Sequence, residues 1–370
     1  MAANNLTYFP VGNGDTVLIE LDKKTILTDM NYRDSAADPD QDDYDFAPDL
    51  QKACLVSSKN YRLSLFVLTH PDADHLRGFA TLFYCGDPDK YKDRKAADEK
   101  LILIEEMFIS PYAEQPNYET EESKPVFKEI NRRLALRGKA EGDKDGNRIK
   151  TLDTECEHWT GSLTSNISWE LIAPTPTEAD IQDEEGSEEH ASSNDSSLVI
   201  RWTLEMNGGV TRALIAGDAT VEVWDRIWKD YKKKTDQLKR HILLAPHHCS
   251  RGAMARKQDD DSYEYSDDAL QALEQFDGDG FVVSSSKEIK RNDDNPPSWE
   301  AKQKYLGMLK TAKEKGHEER FLNPDTHKDG KPEPVVFDLT SSGPVLKTAG
   351  TASTTKRSLG AGAATSPTYG

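Results

Sequence analysis

The stretch Thr69-His70-Pro71-Asp72-Ala73-Asp74-His75-Leu76 follows directly on an apolar run, Leu63 to Leu68. A run rich in Leu, Phe and Val predicts a buried strand, and a polar loop at its end can hold several ligands in fixed directions. Imidazole nitrogens and carboxylate oxygens suit Zn, Mn or Fe, and their number here suits two ions. The alternative is a polar, turn-forming surface loop. The candidate ligands within these six positions are His70, Asp72, Asp74 and His75.

The composition limits the number of domains and the kinds of binding partner. The chain has 370 residues and 36% hydrophobic content, enough for a sizeable core in one large or two ordinary domains. Lys and Arg number 47 against 66 Asp and Glu, and the net charge of -19 disfavours broad attraction to nucleic acid or anionic lipid. Any phosphate-binding surface must therefore be local.

The cysteines and the apolar runs indicate the cellular compartment of the protein. Four cysteines lie far apart without a Cys-x-x-Cys pair, which argues against a disulfide framework and against a thiolate zinc site. No apolar run approaches the ~18 residues of a membrane helix, and residues 1–10 lack a targeting pattern. We expect a cytoplasmic protein with no membrane partner, and the sequence leaves its protein partners open.

The order of predicted elements favours one domain over residues 1–347. Strands are predicted around the turn at 11–15 and at 63–69, 101–109, 197–204, 211–216, 241–245, 281–284 and 335–339. Helices are predicted at 49–57, 125–136, 221–231 and 298–315. Strands that alternate with helices indicate a mixed sheet with helices outside.

Three segments depart from that pattern. Residues 85–150 are highly charged, and we interpret their polar parts as an insertion near the mouth of the site. Residues 178–193 are acidic and are expected to form an extended loop, because like charges repel. Residues 348–370 are rich in Ala, Gly, Ser and Thr and are predicted to be a disordered tail.

Two further polar clusters follow apolar strands. Gly217-Asp218 comes after one, and His247-His248 comes after another. A lone strand-terminal Asp is more often a helix cap, here for the helix that begins at Val221. However, a metal centre built on one edge of a sheet requires His and Asp at the ends of several strands. The repetition therefore favours a metal centre.

With these motifs in this order, the chain resembles the metallo-β-lactamase superfamily and, within it, the nuclease-like domain of ComEC-type competence proteins. The superfamily's His-x-His-x-Asp-His corresponds to His70-x-Asp72-x-Asp74-His75, and Asp in the third position marks the ComEC-like branch. The resemblance spans residues 6–346. The other matches are Val11-Gly12-Asn13-Gly14-Asp15, Asp29, Asn194-Asp195-Ser196-Ser197-Leu198, Gly217-Asp218 and Pro246-His247-His248-Cys249-Ser250.

The resemblance implies an α/β fold of the αββα type, in which two mixed sheets pack face to face with helices outside and metals at one edge. His70 and Asp72 would hold one ion, and Asp74 and His75 the other. Asp218 would bridge both ions. His248 matches the ligand of the fifth motif.

The resemblance also implies roles beyond the ligands. Asp74 and His247 are the residues expected to take part in catalysis, with His247 facing the substrate and stabilising its charge. Asp29 resembles the buried carboxylate that orients the ligand loop.

The chain departs from the family pattern at three places. The third-motif histidine is missing, so Asn194 or Asp195 stands in its place, while His190 lies upstream in the acidic loop. Cys249 replaces a glycine and is interpreted as a small packed residue. Asp294-Asn295-Pro296 stands where the ComEC-like domains carry Gly-His-Pro, so an imidazole is absent there.

Two divalent ions lower the pKa of a bridging water and clamp the attacking and leaving oxygens, which predicts hydrolysis. Asp72 in place of an imidazole raises the carboxylate count, so Mn rivals Zn and an anionic phosphodiester is favoured over a lactam. The predicted protein is a phosphodiesterase or nuclease that acts on nucleic acid or nucleotides. The residues predicted to contact phosphate, if they are not simply surface charge, are Arg77, Arg251 and Lys287.

Two other functions remain open at this point. The same fold supports hydrolysis of a small carboxylic or phosphoric ester, for which net acidity is no handicap. A regulatory protein with a degenerate metal site is the third interpretation.

Overall fold

The structure is a computed structural model that describes residues 3–38, 40–57, 60–91, 99–114, 123–179, 192–292 and 295–347. The tail predicted at 348–370, most of the acidic loop predicted at 178–193, and His190 lie outside these ranges. Within the described ranges, no helix combines the length and the hydrophobicity that a bilayer crossing requires.

The first sheet is mixed and has nine strands among the described residues. Its order is β19-β18-β1-β2-β3-β6-β7-β8, with β5 paired to β6, and β3, β6, β7 and β8 run parallel. The strands are β1 Asn5–Tyr8, β2 Val17–Leu21, β3 Lys24–Thr28, β5 Leu55–Ser57, β6 Asn60–Leu68, β7 Leu103–Ile109, β8 Arg148–Thr151, β18 Val335–Thr340 and β19 Gly343–Leu346.

The second sheet is also mixed, with seven strands in the described part of the chain. Its order is β17-β16-β13-β12-β11-β10-β9, and β12, β13, β16 and β17 run parallel. The strands are β9 Thr160–Thr164, β10 Ile167–Ala173, β11 Val199–Met206, β12 Gly209–Ile215, β13 Arg240–Leu244, β16 Phe276–Val283 and β17 Phe321–Leu322. Outside both sheets lie β4 Met30–Asn31 and a hairpin of β14 Ala255–Lys257 and β15 Tyr263–Tyr265.

The described residues form helices on the outer sides of the sheets and short helical turns at the sheet edge. They are α1 Ala47–Cys54, α2 Ala73–Leu76, α3 Phe79–Leu82, α4 Lys124–Leu134, α5 Pro176–Ala179, α6 Val221–Tyr231, α7 Pro246–Cys249, α8 Asp267–Leu273 and α9 Trp299–Ala312. The predicted helix at 221–231 matches α6, whereas α1 begins two residues before the prediction and ends at Cys54, where the chain enters β5.

Three apolar clusters define four layers. One cluster joins the facing sides of the two sheets, including Val67 and Phe108 of the first sheet and Trp202 and Ile242 of the second. A second cluster packs α1 and α4 against the outer side of the first sheet, and a third packs α6, α8 and α9 against the outer side of the second. The αββα sandwich predicted from the sequence is therefore confirmed.

The segment at 85–150 is more than an insertion. It supplies β7 and β8 of the first sheet, and α4 buries Val126 and Ile130 against that sheet. The high charge of this segment suggested a surface location. Several of its charged residues are instead paired inside the fold, as Glu129 is with Arg133.

Strand direction brings the predicted ligands together. β3 and β6 are parallel in the first sheet, as are β12 and β13 in the second. The carboxyl ends of parallel strands share one edge, where a polar loop can leave each of them. The loops that follow these four strands begin at Asp29, Thr69, Ala216 and Ala245.

Candidate metal centre

Asp218 lies at the centre of the site, and its two carboxylate oxygens face different imidazoles. Oδ1 is 3.2 Å from Nε2 of His75 and 3.5 Å from Nε2 of His248. Oδ2 is 3.6 Å from Nε2 of His247 and 3.9 Å from Nε2 of His70. The cluster therefore has two sides, which we call the Oδ1 side and the Oδ2 side.

Gly217 allows Asp218 to approach the end of β6. Its φ is +49°, and a Cβ at this position would lie 2.6 Å from Oγ1 of Thr69. Only glycine satisfies both the left-handed backbone and this close approach. The amide of Asp218 then donates to Oγ of Ser197 at 3.2 Å, which fixes the carboxylate between the two sheets.

His70 and Asp72 lie on the Oδ2 side. Nε2 of the buried His70 is 3.8 Å from Oδ2 of Asp72. The hydroxyl of Ser193 donates to Oδ1 of Asp72 at 2.7 Å, so one carboxylate oxygen is held by the protein and the other faces the cluster.

Asp74, His75 and His248 lie on the Oδ1 side. Nε2 of His248 is 3.2 Å from Oδ2 of Asp74 and points toward Asp218. On the other edge of the His248 ring, Nδ1 lies 3.1 Å from the amide nitrogen of Gly14 and 3.2 Å from the carbonyl oxygen of Ser285. These backbone groups fix the ring with Nε2 toward the cluster.

Asp29 positions His75 from behind. Its carboxylate accepts from the amide and the hydroxyl of Thr69 at 2.8 and 2.6 Å, and Oδ2 lies 2.8 Å from Nδ1 of His75. A hydrogen bond at Nδ1 sets the tautomer and the orientation of an imidazole, so Nε2 of His75 is directed at Asp218.

The two adjacent histidines reach opposite sides of Asp218 because the α7 turn is left-handed. His247, His248 and Cys249 have φ values of 50°, 51° and 65°. Such conformations cost on the order of 1 kcal/mol or more each for residues other than glycine, and they cluster at functional sites. The amide of His247 donates to the carbonyl of Gly217 at 3.0 Å and holds the turn in place.

Many buried polar atoms of the cluster have no hydrogen-bond partner. Such atoms are rare in native proteins, because each loses its contact with water without compensation. They are Nε2 of His70, His75 and His248, Oδ1 of Asp218 and both carboxylate oxygens of Asp15.

The donor set fits divalent cations. Ligand atoms from four buried residues, Asp15, His75, Asp218 and His248, all lie within 4.8 Å of one another. Imidazole and carboxylate donors in this combination bind Zn, Mn or Fe. The atoms that lack partners are the ones that a metal ion would engage.

The pKa values show how negative the site is. Burial alone lowers the pKa of His248, but Asp218, Asp15 and Asp74 outweigh it and raise that pKa to about 10. Burial also lowers the pKa of His75, but Asp218 and Asp29 outweigh it and raise that pKa well above its ordinary value. Carboxylates that hold protons on two buried imidazoles also attract a cation, which displaces those protons when it binds.

His70 behaves differently from these two histidines. Burial, with repulsion from His75, lowers its pKa to about 3, so the ring is neutral. A neutral imidazole is the form that binds metal. On the same Oδ2 side of the cluster, burial raises the pKa of Asp72 above its ordinary value.

The three basic residues predicted to contact phosphate differ in their surroundings. Arg77 donates to Oδ1 of Asn31 at 2.7 Å, and Arg251 lies over the ring of Tyr263 with its guanidinium carbon 4.0 Å from the ring centroid. Lys287 has an exposed side chain, and its amide donates to Oδ1 of Asn13 beside the site.

Of the positions that depart from the family pattern, the structure describes Asn194, Asp195, Cys249 and Asn295, whereas Asp294 lies outside the described residues. Oδ1 of Asn194 is buried without a partner, whereas Asp195 accepts from the hydroxyl of Thr220 at 2.5 Å. Cys249 is buried. The side chain of Asn295 accepts from the amide of Arg251 at 2.9 Å and thus fixes the backbone after α7.

Asp15 was assigned to a turn and to the matched motif at 11–15, without a ligand role, yet its carboxylate lies within the cluster. The signal was present in the sequence as a carboxylate at the end of a turn containing two glycines. Ser193 and Ser285, which fix Asp72 and His248, carried no sequence signal. A serine beside a strand end is common in any fold, and Ser285 contacts His248 through its backbone carbonyl, which any residue supplies.

No family model matches the chain, and no curated protein matches it. Among solved structures, a mutant of the CmlA β-hydroxylase has a TM-score of 0.40 and 12% identity, covering 90% of this chain and 54% of its own. This chain therefore spans about half the length of that protein.

Two metallo-β-lactamases were also found. The enzyme of Elizabethkingia meningoseptica has a TM-score of 0.31 and 14% identity, covering 86% of this chain and 90% of its own. A class B3 di-zinc enzyme from an Alaskan soil metagenome has a TM-score of 0.30 and 14% identity, covering 86% and 92%. The fold class itself rests on the two mixed sheets and flanking helices of this chain.

Proposed function

We propose that this protein is a metal-dependent hydrolase whose substrate is a phosphodiester of a nucleic acid or nucleotide. The observation that carries the proposal is the position of Asp218, whose two oxygens face separate groups of imidazole nitrogens. A carboxylate placed in this way is suited to bridge two cations.

Each side of the cluster would hold one divalent ion. His70 and Asp72 would bind on the Oδ2 side, and Asp74, His75 and His248 on the Oδ1 side. When bound, the ions supply a water of lowered pKa and neutralise charge on the substrate. The ions are proposed to be Zn or Mn.

The protein's own groups keep these ligands in place. Asp29, fixed by Thr69, orients His75, and Ser193 orients Asp72. Because the partners sit on strand ends and tight turns, the ligands need little rearrangement when a cation binds, which is the condition for a precise site.

His247 is the residue best placed to act on the substrate. Its side chain is 26% exposed, whereas those of His70, His75 and His248 are at most 1% exposed. An imidazole at the open side of the cluster can hydrogen-bond a substrate oxygen or deliver a proton to the leaving group.

The substrate class follows from the donors. Asp72, Asp74 and Asp218 make the site rich in oxygen, which suits harder cations such as Mn and, through them, anionic phosphoryl oxygens. Lys287 is exposed beside the turn that contains Asn13 and can contact a second phosphate.

A small-ester hydrolase remains the second candidate, and one observation favours it. Arg77 is hydrogen-bonded to Asn31, while Arg251 lies over Tyr263 and faces Glu300 at 3.8 Å. Two of the three basic residues predicted to contact phosphate are thus engaged inside the protein, which suits a substrate with few phosphates.

Metal removal and add-back tests the proposal. Protein stripped of metal would be reconstituted with Mn²⁺ or Zn²⁺ and assayed on DNA, RNA, cyclic nucleotides, bis(p-nitrophenyl) phosphate and p-nitrophenyl acetate, with Asp218→Asn as the inactive control. We expect metal-dependent cleavage of phosphodiesters and, if a polynucleotide is the substrate, a steep loss of cleavage with added salt. Turnover of the acetate alone, insensitive to salt, would instead support the small-ester candidate.

A further inference from the structure

Asp15 carries a carboxylate that is buried without a hydrogen-bond donor. The residue is 1% exposed, and neither of its side-chain oxygens has a partner. The nearest imidazole nitrogen, Nδ1 of His248, is 3.6 Å from Oδ1, beyond hydrogen-bond distance. A buried carboxylate that accepts no hydrogen bond is costly even with the His248 ring nearby, and a cation bound directly to it removes that cost.

The turn that carries Asp15 is fixed, so the carboxylate cannot move toward solvent without breaking several contacts. The side-chain amide of Asn31 donates to the carbonyls of Val11 and Asn13 at 3.0 and 2.9 Å. The amide of Gly12 donates to Asp325 at 3.0 Å, and the hydroxyl of Ser285 donates to the carbonyl of Gly14 at 2.6 Å.

The groups around Asp15 do not account for its buried carboxylate by a structural role. His248 is already oriented by Ser285 and Gly14, so its ring does not require Asp15 as an acceptor. The hydroxyl of Tyr8 is also buried without a partner, and burial together with the charge of Asp15 raises the pKa of Tyr8 well above its ordinary range. Tyr8 is therefore neutral and cannot balance the carboxylate.

We propose that Asp15 is an anionic ligand of the cation that His75, Asp218 and His248 hold. All four ligand atoms lie within 4.8 Å of one another. The proposal rests on the metal-dependent function above and adds a residue from outside the motif at 70–75. Together with Asp74, the ligands of this cation then comprise three carboxylates and two imidazoles. Such a set favours Mn over Zn, because Zn is usually bound by fewer ligands and by softer donor atoms.

Asp15→Asn tests the proposal, because it keeps the size of the side chain and removes its charge. The matched control is Asp325→Asn, which changes a carboxylate that contacts the same turn on the side of Gly12 and lies outside the cluster. Binding of Mn²⁺ and of Zn²⁺ would be measured by titration calorimetry on metal-stripped protein, and melting temperatures with and without metal.

We expect the Mn²⁺ dissociation constant of Asp15→Asn to rise roughly 10- to 100-fold, with a smaller rise for Zn²⁺ and no change in the control. Mn²⁺ should raise the melting temperature of Asp15→Asn less than that of the wild type, because a ligand stabilises the folded state according to its affinity. Equal Mn²⁺ affinity in Asp15→Asn and wild type would overturn the role of Asp15 alone. A wild type that binds no metal would overturn the proposed function as well, so the two failures are distinguishable.

Discussion

Two regions of the molecule bury carboxylates and surround them differently. On α4, Glu129 is 3% exposed and accepts hydrogen bonds from the amide of Gly86 at 2.9 Å and from the guanidinium groups of Arg132 and Arg133 at 2.7 to 2.9 Å. At the sheet edge, Asp15 is 1% exposed and accepts none. The first carboxylate is satisfied by the protein, and the second is not.

The difference separates a structural ion pair from the proposed cation site. Arg133 also donates to the carbonyls of Arg148 and Ile104 at 3.0 and 2.9 Å, so the pair ties α4 to β7 and β8. Burial of charge is common to both regions and therefore indicates no function. Burial of charge without a donor is found at the sheet edge, and it is this feature that indicates a cation.

Loss of a central ligand should have the largest effect. We expect Asp218→Ala and His75→Ala each to remove bound metal and to abolish activity, because the remaining ligands are then too few and unbalanced. Metal content by mass spectrometry and turnover on bis(p-nitrophenyl) phosphate are the measurements. The N-cap of α6 is Thr220. An Asp218→Ala protein that stays active would contradict the metal centre and return Asp218 to a role near that helix start.

In the other region the expected loss is of stability. Glu129→Ala leaves Arg133 buried without its partner, and breaking a buried ion pair costs about 3 to 5 kcal/mol. Urea denaturation measures the loss, and metal content per folded protein should be unchanged. Arg137→Ala is the matched control, because Arg137 pairs with Glu114 at the surface, where such pairs contribute ~0 to 1 kcal/mol. A Glu129 variant that folds normally but loses metal would erase the distinction between the regions.

Much of this architecture could be predicted because it depends on local pattern. Apolar runs followed by polar loops marked β6, β12 and β13, and the ligand loops after them lie where parallel strands end. The helix at 221–231 was predicted to the residue, since its buried positions Val223, Trp224 and Ile227 repeat at helical spacing.

Other parts depend on contacts between distant residues. The hairpin of β9 and β10 was missed although Ile167, Trp169 and Leu171 alternate toward the core, because its other strand, β9, has no buried apolar position. The buried state of Asp15 depends on Asn31, Ser285 and Asp325, which lie far away in sequence. The turn with two glycines marks the position of this carboxylate, but its burial without a hydrogen-bond partner cannot be read from that local pattern.

His247 offers a finer test within the sheet edge, because it touches the cluster without being enclosed by it. We expect His247→Ala to retain its metal while kcat falls by roughly 10²-fold, the usual range for one acid-base or electrostatic group. Metal content and kcat on a phosphodiester would be measured on the same sample, with His248→Ala as the comparison that should lose metal. The reverse result would show that the two histidines exchange roles.

The smallest expected effect is a change of metal preference at Asp72. Its Oδ2 is 3.8 Å from Nε2 of His70, and its side chain is 32% exposed, so a ring of comparable size can be accommodated. Asp72→His replaces a hard oxygen donor by a softer nitrogen, and we expect the ratio of activities after Mn²⁺ and Zn²⁺ add-back to shift toward Zn. Ser193→Ala is the control, since it removes the hydrogen bond to Asp72 without changing the donor type. An unchanged ratio in Asp72→His would mean that this carboxylate, although it faces the cluster, resembles Glu129 more than Asp15: a charge that the protein satisfies by itself.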